Sequence, residues 1–289
     1  MTRLYGVPFF CTPNAEPIAA RLPARDTSKN TGKAGSKCRF LFQGGFAPAR
    51  GIDILIKAWP RTDSAAVLVL RGPDNEYRHD MIRLAKSLGI HGTRVIFAPA
   101  VDESQLVAAA AEFDVGLIPY TTTGLNYANC CPNKLSQYMA AGLPILAFRT
   151  TFVEQVVRES GAGTVVDSSD KEGLVREVNR FVGDLDYRTR CRERSAAFFV
   201  EGFHWEVLSR PFFARLRALV RNTGLRHAQP FGFVQKPALF ESTLLKANVT
   251  RASLISILRT VWRMLPAGLR YRSGIGSRLR RVAARFLGV

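Results

Sequence analysis

Two short stretches carry residue types that could do chemistry on an anion. The loop QGGFAPARG at 43–51 combines Gly44 and Gly45 with Arg50. Adjacent glycines let the backbone approach a ligand closely, a helix opening behind them offers free N–H groups to a phosphate, and a guanidinium can grip that phosphate through two bonds. The stretch NYANCCPNKLSQYMAAGLPI at 126–145 puts Asn133 and Lys134 where a helix begins, so an ammonium and the positive end of a helix dipole favour the same anion. Gln137 lies one turn further on, near enough to touch that ligand. Read alone, the first stretch is equally a tight turn with a surface arginine. The second is equally a helix with Tyr138 and Met139 in the core and Lys134 in solvent. Cys130 and Cys131 read as inert packing, because no histidine stands beside them to stabilise a thiolate. Neither stretch is a G-x-G-x-x-G or a Walker loop, so neither dinucleotide binding nor ATP hydrolysis follows.

The elements that must position these loops read as alternating strands and helices. Apolar runs at 39–44, 66–72, 94–100, 114–120, 144–149 and 163–167 predict six strands. Helical patterns fall at 51–59, 74–88, 102–113, 132–142, 151–160, 170–183, 187–200 and 205–221, with Asp102 and Gln105 as a capping pair. This alternation predicts an α/β fold, a single Rossmann-like doubly wound parallel sheet with helices on both faces. Ligands in such sheets sit beyond the carboxyl ends of the strands, which points to the loops after the first four. Residues 1–37 are poorly periodic, with one extended stretch, VPFFCTPNAEPI, followed by a polar Gly/Ser/Lys-rich linker.

Composition sets the limits. The chain has 289 residues, 47% hydrophobic and 22% charged, enough for an ordinary core. It has no apolar run of about 18 residues for a spanning helix, and MTRLYGVPFF does not read as a signal peptide. Five scattered cysteines suit a reducing cytoplasm, and no Cys/His cluster has metal-ligand spacing, so no metal and no cofactor are expected. The net charge of +18 is the abnormal figure, and +11 of it lies in residues 222–289, where twelve basic residues face Glu241 alone. Such a balance calls for an anionic partner.

The landmarks RFLFQGGFAPARGIDILIKAW, VLVLRGP, RVIFAPAV, FDVGLIPY, CPNKLSQYMAAGLPIL and FHWEVLSRPFF together resemble the carboxyl-terminal, donor-binding domain of retaining GT-B glycosyltransferases of the group 1 type, over about residues 38–220. The resemblance implies roles by position. Gly44, Gly45 and Arg50 match the loop on the donor diphosphate. Phe97, Ala98, Pro99 and Val101 match the loop whose backbone faces the base, and Asn133 and Lys134 match the segment beside the diphosphate and sugar. Two glutamates eight positions apart are usual in this family, near the sugar and on the ribose; Asn129 and Gln137 stand there instead. Arg50 and Lys134 would neutralise the leaving diphosphate while the anomeric carbon passes through an oxocarbenium-like state. Arg71 and Glu154 are further candidates with a structural role as the stronger reading.

The resemblance also implies a division of the chain: a residual hinge at 1–37, a donor-binding domain at 38–221 and a basic amphipathic helical tail at 222–289. Only residues 1–20 match anything of the family's first domain, which normally carries the acceptor site. The expectation is therefore a truncated enzyme, half of a glycosyltransferase that uses a nucleotide diphosphate sugar in polysaccharide or glycolipid assembly and is completed by a separate acceptor-domain chain. In the tail, Leu254, Leu258, Val261, Trp262 and Leu265 share one helical face with arginines turned away from it. A cationic amphipathic stretch at 251–287 suits an anionic membrane surface, hence a cytoplasmic protein peripheral on the inner membrane face. The same face would also serve as a docking surface for a partner or the first domain; nucleic acid ranks last, for want of a binding motif. The rival readings are a non-catalytic remnant or subunit acting through its tail, and a nucleotide-sugar epimerase of the same fold.

Overall fold

Cys38–Gln43 (β1) is buried at every residue but Arg39, as a strand covered on both faces must be, and Phe40, Leu41 and Phe42 are fully buried. In this computed structural model, residues 12–23, 37–123 and 125–222 are described. The chain divides into two units, Met1–Ser209 and Arg210–Val289. In the first unit, Ala66–Arg71 (β2), Val95–Ala98 (β3), Val115–Ile118 (β4), Ile145–Phe148 (β5) and Gly163–Val166 (β6) join β1 in one six-stranded sheet. Their order is β3-β2-β1-β4-β5-β6 and every pairing is parallel. This is the doubly wound α/β sheet that the alternation of elements predicts.

The alternation of side chains along each strand builds two cores. Phe40, Phe42, Leu68 and Leu70 face one way, onto the helices Ile52–Ala58 (α1), Glu76–Ser87 (α2) and Lys171–Gly183 (α7). Trp59 and Phe181 pack edge-on against Phe40, with ring centroids 5.4 and 6.5 Å away. Leu41, Val67 and Val69 face the other way, onto Leu106–Ala110 (α3), Asn133–Ala140 (α5) and Thr151–Ser160 (α6). The long helix Leu185–Glu201 (α8) closes one edge, giving Cys191 to the first core and Phe199 to the second.

Several boundaries differ from expectation, for local reasons. The strands expected at 94–100 and 114–120 stop at Ala98 and Ile118, because Pro99 and Pro119 have no N–H to continue a ladder. The helix expected from Asp102 to Phe113 is a 3-10 turn, Glu103–Gln105, followed by the short α3; the Asp102 side chain caps nothing. A five-residue helix, Leu125–Asn129 (α4), occupies what reads as loop. The single helix expected at 205–221 is two, Trp205–Leu208 (α9) and Arg210–Asn222 (α10), because Pro211 has no N–H to continue the hydrogen-bond ladder from one into the other. The extended stretch expected at 7–18 lies outside the described residues as far as Cys11. Its end, from Thr12 onward, is irregular and finishes in a 3-10 turn at Ile18–Ala20. The basic tail from 223 onward also lies outside them.

Candidate functional site

The strand order reverses between β1 and β4, and the loops leaving the carboxyl ends of these two strands meet there. Gly44 turns the chain out of β1 at φ 134°, a conformation that side chains resist. A 3-10 turn, Pro48–Arg50, then leads to Gly51 at φ 59°, where a Cβ would lie 2.2 Å from the Pro119 carbonyl oxygen. Glycine at 51 is therefore what lets the β1 loop press on the exit of β4. The Thr121 N–H completes the seam by donating to the Ala49 carbonyl at 3.1 Å.

Two cations converge on this seam. A Cβ placed on Gly44 would find Arg50 Nη1 at 3.4 Å and Lys134 Nζ at 3.5 Å. Arg50 Nη1 donates to the Tyr120 hydroxyl at 2.8 Å, while its Nε is buried without a partner. Lys134, in the first turn of α5, is 4% exposed, and its Nζ has no hydrogen-bond partner. That ammonium sits 3.7 Å from the centroid of Phe42 and 4.8 Å from that of Tyr120, so two aromatic faces take the place of water around it. Among the described residues, no acid forms an ion pair with either cation. Burial, reinforced by Arg50, pushes the Lys134 pKa well below the usual lysine value, and burial lifts the Tyr120 phenol to about 12. A pair of enclosed cations with no ion-paired acid among the described residues, at a glycine turn and a helix start, is chemically suited to phosphate-like charge.

Lys134 is buried because α5 lies against the sheet along its whole length. Tyr138 covers Gly116, where a Cβ would meet the ring at 2.4 Å. Its hydroxyl accepts from the Gln43 N–H at 3.1 Å and donates to the Leu41 carbonyl at 3.0 Å. A residue of β4 would make these two bonds if the strands stayed paired, but their register covers only Phe40 with Val115 and Leu41 with Gly116. The hydroxyl therefore closes the gap where β1 and β4 part, just beneath the cations.

The residues singled out from the sequence are distributed unequally. Gly44, Arg50 and Lys134 come together, and Gly45 beside them leaves open space at its Cα. Asn133 is exposed and accepts from Asn14 Nδ2 at 2.5 Å. Gln137 is buried one turn deeper, accepting from Gln43 Nε2 and donating to Glu16 Oε1, both at 3.1 Å. Asn129 ends α4 and is exposed. Phe97, Ala98, Pro99 and Val101 lie at the end of β3, two strands or about 10 Å across the sheet from β1. The Phe97 ring there stacks on Phe46, with centroids 6.2 Å apart. Arg71 is buried over the Phe113 ring, which it shares with Arg39, and Glu154 is held by Arg149 and Arg158.

Sequence reasoning missed Phe42, Tyr120, Gln43 and Glu16. The first three were legible as residues at strand ends beside the predicted loops; nothing local marked Glu16. Among the described residues, no group of three or more His, Cys, Asp or Glu is placed to hold a metal. Nor is any helix there long and apolar enough to cross a membrane.

A GT-B-type Rossmann-like sheet with two buried cations at its switch point thus defines the class. Residues 37–184 match the family described as Glycosyl transferases group 1, and the chain belongs to that family. It is 28% identical over 169 residues to the lipopolysaccharide core biosynthesis glycosyltransferase LpsE of Rhizobium meliloti, covering 58% of this chain and 46% of that protein. Identity is 29% over 166 residues to the GDP-mannose-dependent alpha-(1-6)-phosphatidylinositol monomannoside mannosyltransferase of Mycolicibacterium smegmatis, covering 55% and 41% respectively. The fold is similar to that of Anabaena Alr3699/HepE, solved in complex with UDP and glucose: TM-score 0.57, 17% identity, 71% of this chain and 56% of that one. The chain spans less than half the length of these two curated relatives.

Proposed function

We propose that this chain binds a nucleotide diphosphate sugar and serves as the donor-binding half of a retaining glycosyltransferase. One observation carries the reading: Arg50 Nη1 and Lys134 Nζ both lie within 3.5 Å of one point above Gly44, without a counter-anion among the described residues. A diphosphate placed there would satisfy Lys134 Nζ and Arg50 Nε. As the bond between the anomeric carbon and the diphosphate breaks, these cations would stabilise the departing negative charge. The relatives named above act in lipopolysaccharide and phosphatidylinositol mannoside assembly, which supports a polysaccharide or lipid-linked acceptor.

The acceptor and the groups that orient it belong, on this reading, to an amino-terminal domain, with residues 1–37 as its hinge. The cationic stretch at 251–287 suits an anionic membrane surface and a site of action on the cytoplasmic face. The test is calorimetric titration of the purified chain with UDP, GDP and ADP, free and as sugar conjugates. Saturable binding of one nucleotide, weakened about tenfold or more in Arg50→Ala and Lys134→Ala, is the expected result. A folded chain that binds none of them would rule the reading out.

A further inference from the structure

Beside the cation cradle runs a polar relay that no phosphate needs. It starts at Gln43, next to Gly44, whose Nε2 donates to Gln137 Oε1 at 3.1 Å and to the Leu106 carbonyl at 3.4 Å. It passes through Gln137, one turn along α5 from Lys134, and ends on the carboxylate of Glu16. Gln43 Oε1 is buried and finds no donor.

Glu16 reaches this place from the far end of the chain and is fixed there from several directions. Its own N–H donates to Ser136 Oγ at 2.7 Å, and its carbonyl accepts from the Trp205 N–H at 2.9 Å. The flanking residues are tied down as well, Asn14 to Asn133 and the Ile18 N–H to Glu206. The carboxyl group gains little stability from this position. Burial raises its pKa, the Gln137 amide offsets part of that, and Glu103 raises it further. Among the described residues no Lys, Arg or His pairs with it.

A carboxylate repels phosphate and accepts hydrogen bonds, so the part of an anionic ligand that it can receive is a hydrogen-bond donor attached to the phosphate. In a nucleotide sugar, the groups on either side of the diphosphate meet that description: each is a ring bearing neighbouring hydroxyls. Deepening the donor-binding reading, on which this rests, we propose that Glu16 is a donor-binding residue whose carboxylate accepts hydrogen bonds from a vicinal diol adjoining the diphosphate. Gln137 positions it, and Gln43 Oε1 offers a further acceptor on the same strip. The diol belongs either to the pentose of the nucleoside or to the sugar to be transferred.

The experiment titrates the wild type, Glu16→Gln and Glu16→Ala with inorganic pyrophosphate, with the nucleoside diphosphate that binds, with its 2′,3′-dideoxy analogue, and with its sugar conjugate. Melting curves check that each variant is folded. Pyrophosphate affinity should be the same in all three proteins. Glu16→Ala should bind the nucleoside diphosphate about tenfold more weakly and no longer distinguish it from the dideoxy analogue. Glu16→Gln, which keeps the bond from Gln137, should show the same pattern with a smaller loss. A loss confined to the sugar conjugate would support the inference and assign the diol to the transferred sugar. Unchanged affinity for both nucleotide ligands in Glu16→Ala would overturn it, as would an equal loss for pyrophosphate, the mark of a merely structural clamp. A wild type that binds neither pyrophosphate nor any nucleotide would remove the donor site itself, and this inference with it.

Discussion

Lys134 and Phe42 stand as ammonium over ring, 3.7 Å from nitrogen to centroid, in a place where the lysine has no hydrogen-bond partner. An aromatic face repays part of the lost hydration of a cation, typically up to about 2 kcal/mol when the pair is desolvated. Full burial of an unpaired charge costs more than that. The difference is kept in the folded protein as a destabilising contribution that a bound anion would relieve.

Lys134→Met should therefore stabilise the empty protein near neutral pH, by about 1–3 kcal/mol, because an apolar chain of similar volume fits the same aromatic slot. The pH dependence fixes the sign. Burial depresses the folded-state pKa of Lys134 below that of the unfolded chain, so its contribution to stability is most favourable above about pH 10.5 and is lost as pH falls through the folded value. The advantage of the variant should shrink as the pH rises toward that upper limit. Denaturant unfolding at a series of pH values measures it; a variant less stable than the wild type at neutral pH would contradict this account.

Anion binding should also draw a proton onto Lys134. A diphosphate raises the depressed pKa back toward its ordinary value, so at alkaline pH the complex holds more protons than its separated parts. Binding heats taken in two buffers of different ionisation enthalpy reveal the uptake. The wild type should show a buffer-dependent heat that Lys134→Met loses, the control covering protons taken up by the ligand. Identical heats in both buffers for the wild type would mean that Lys134 is already charged.

Removing the Tyr138 hydroxyl should be costly for its size. Tyr138→Phe leaves the Gln43 N–H and the Leu41 carbonyl without partners at a buried position, at about 1–3 kcal/mol. In a domain of this length the melting temperature falls about 2–4 °C for each kcal/mol. A melting temperature equal to that of the wild type would show that β1 and β4 close the gap by themselves.

Two glycines should part company on substitution. Gly116→Ala drives a methyl group into the buried Tyr138 ring and should cost about 1–3 kcal/mol. Gly45→Ala meets no atom within 4 Å, and Gly45 is not among the positive-φ glycines, so its stability should stay within about 0.5 kcal/mol of the wild type. Paired thermal melts decide the point.

The sheet was readable because its strands are continuous apolar runs, and runs such as AVLVL leave few alternatives to a strand buried on both faces. Arg50 and Lys134 were readable because glycines and a helix start accompany them in sequence. Phe42 and Tyr120 were harder: as aromatics at strand ends they carry the pattern of core residues, and their second task, facing a cation, depends on the closing of two loops. The Tyr138 hydroxyl was hidden behind a ring that periodicity assigns to the core. Glu16 was invisible for another reason. Its partners Ser136 and Gln137 lie some 120 residues away, and no local period encodes a contact of that span.

The turn at Gly51 joins the two loops by direct backbone contact, 2.2 Å being the room a methyl group would have had against Pro119. The arginine loop and the segment after β4 that carries Tyr120 are consequently packed without a gap between them. Neither loop has room to shift at this point unless the other gives way, and the chain leading to Asn129, Lys134 and Gln137 starts from the exit of β4. For a protein engineer, the two loops are a single graft. Transplanting one into another scaffold without the other would separate the hinge from the door it carries.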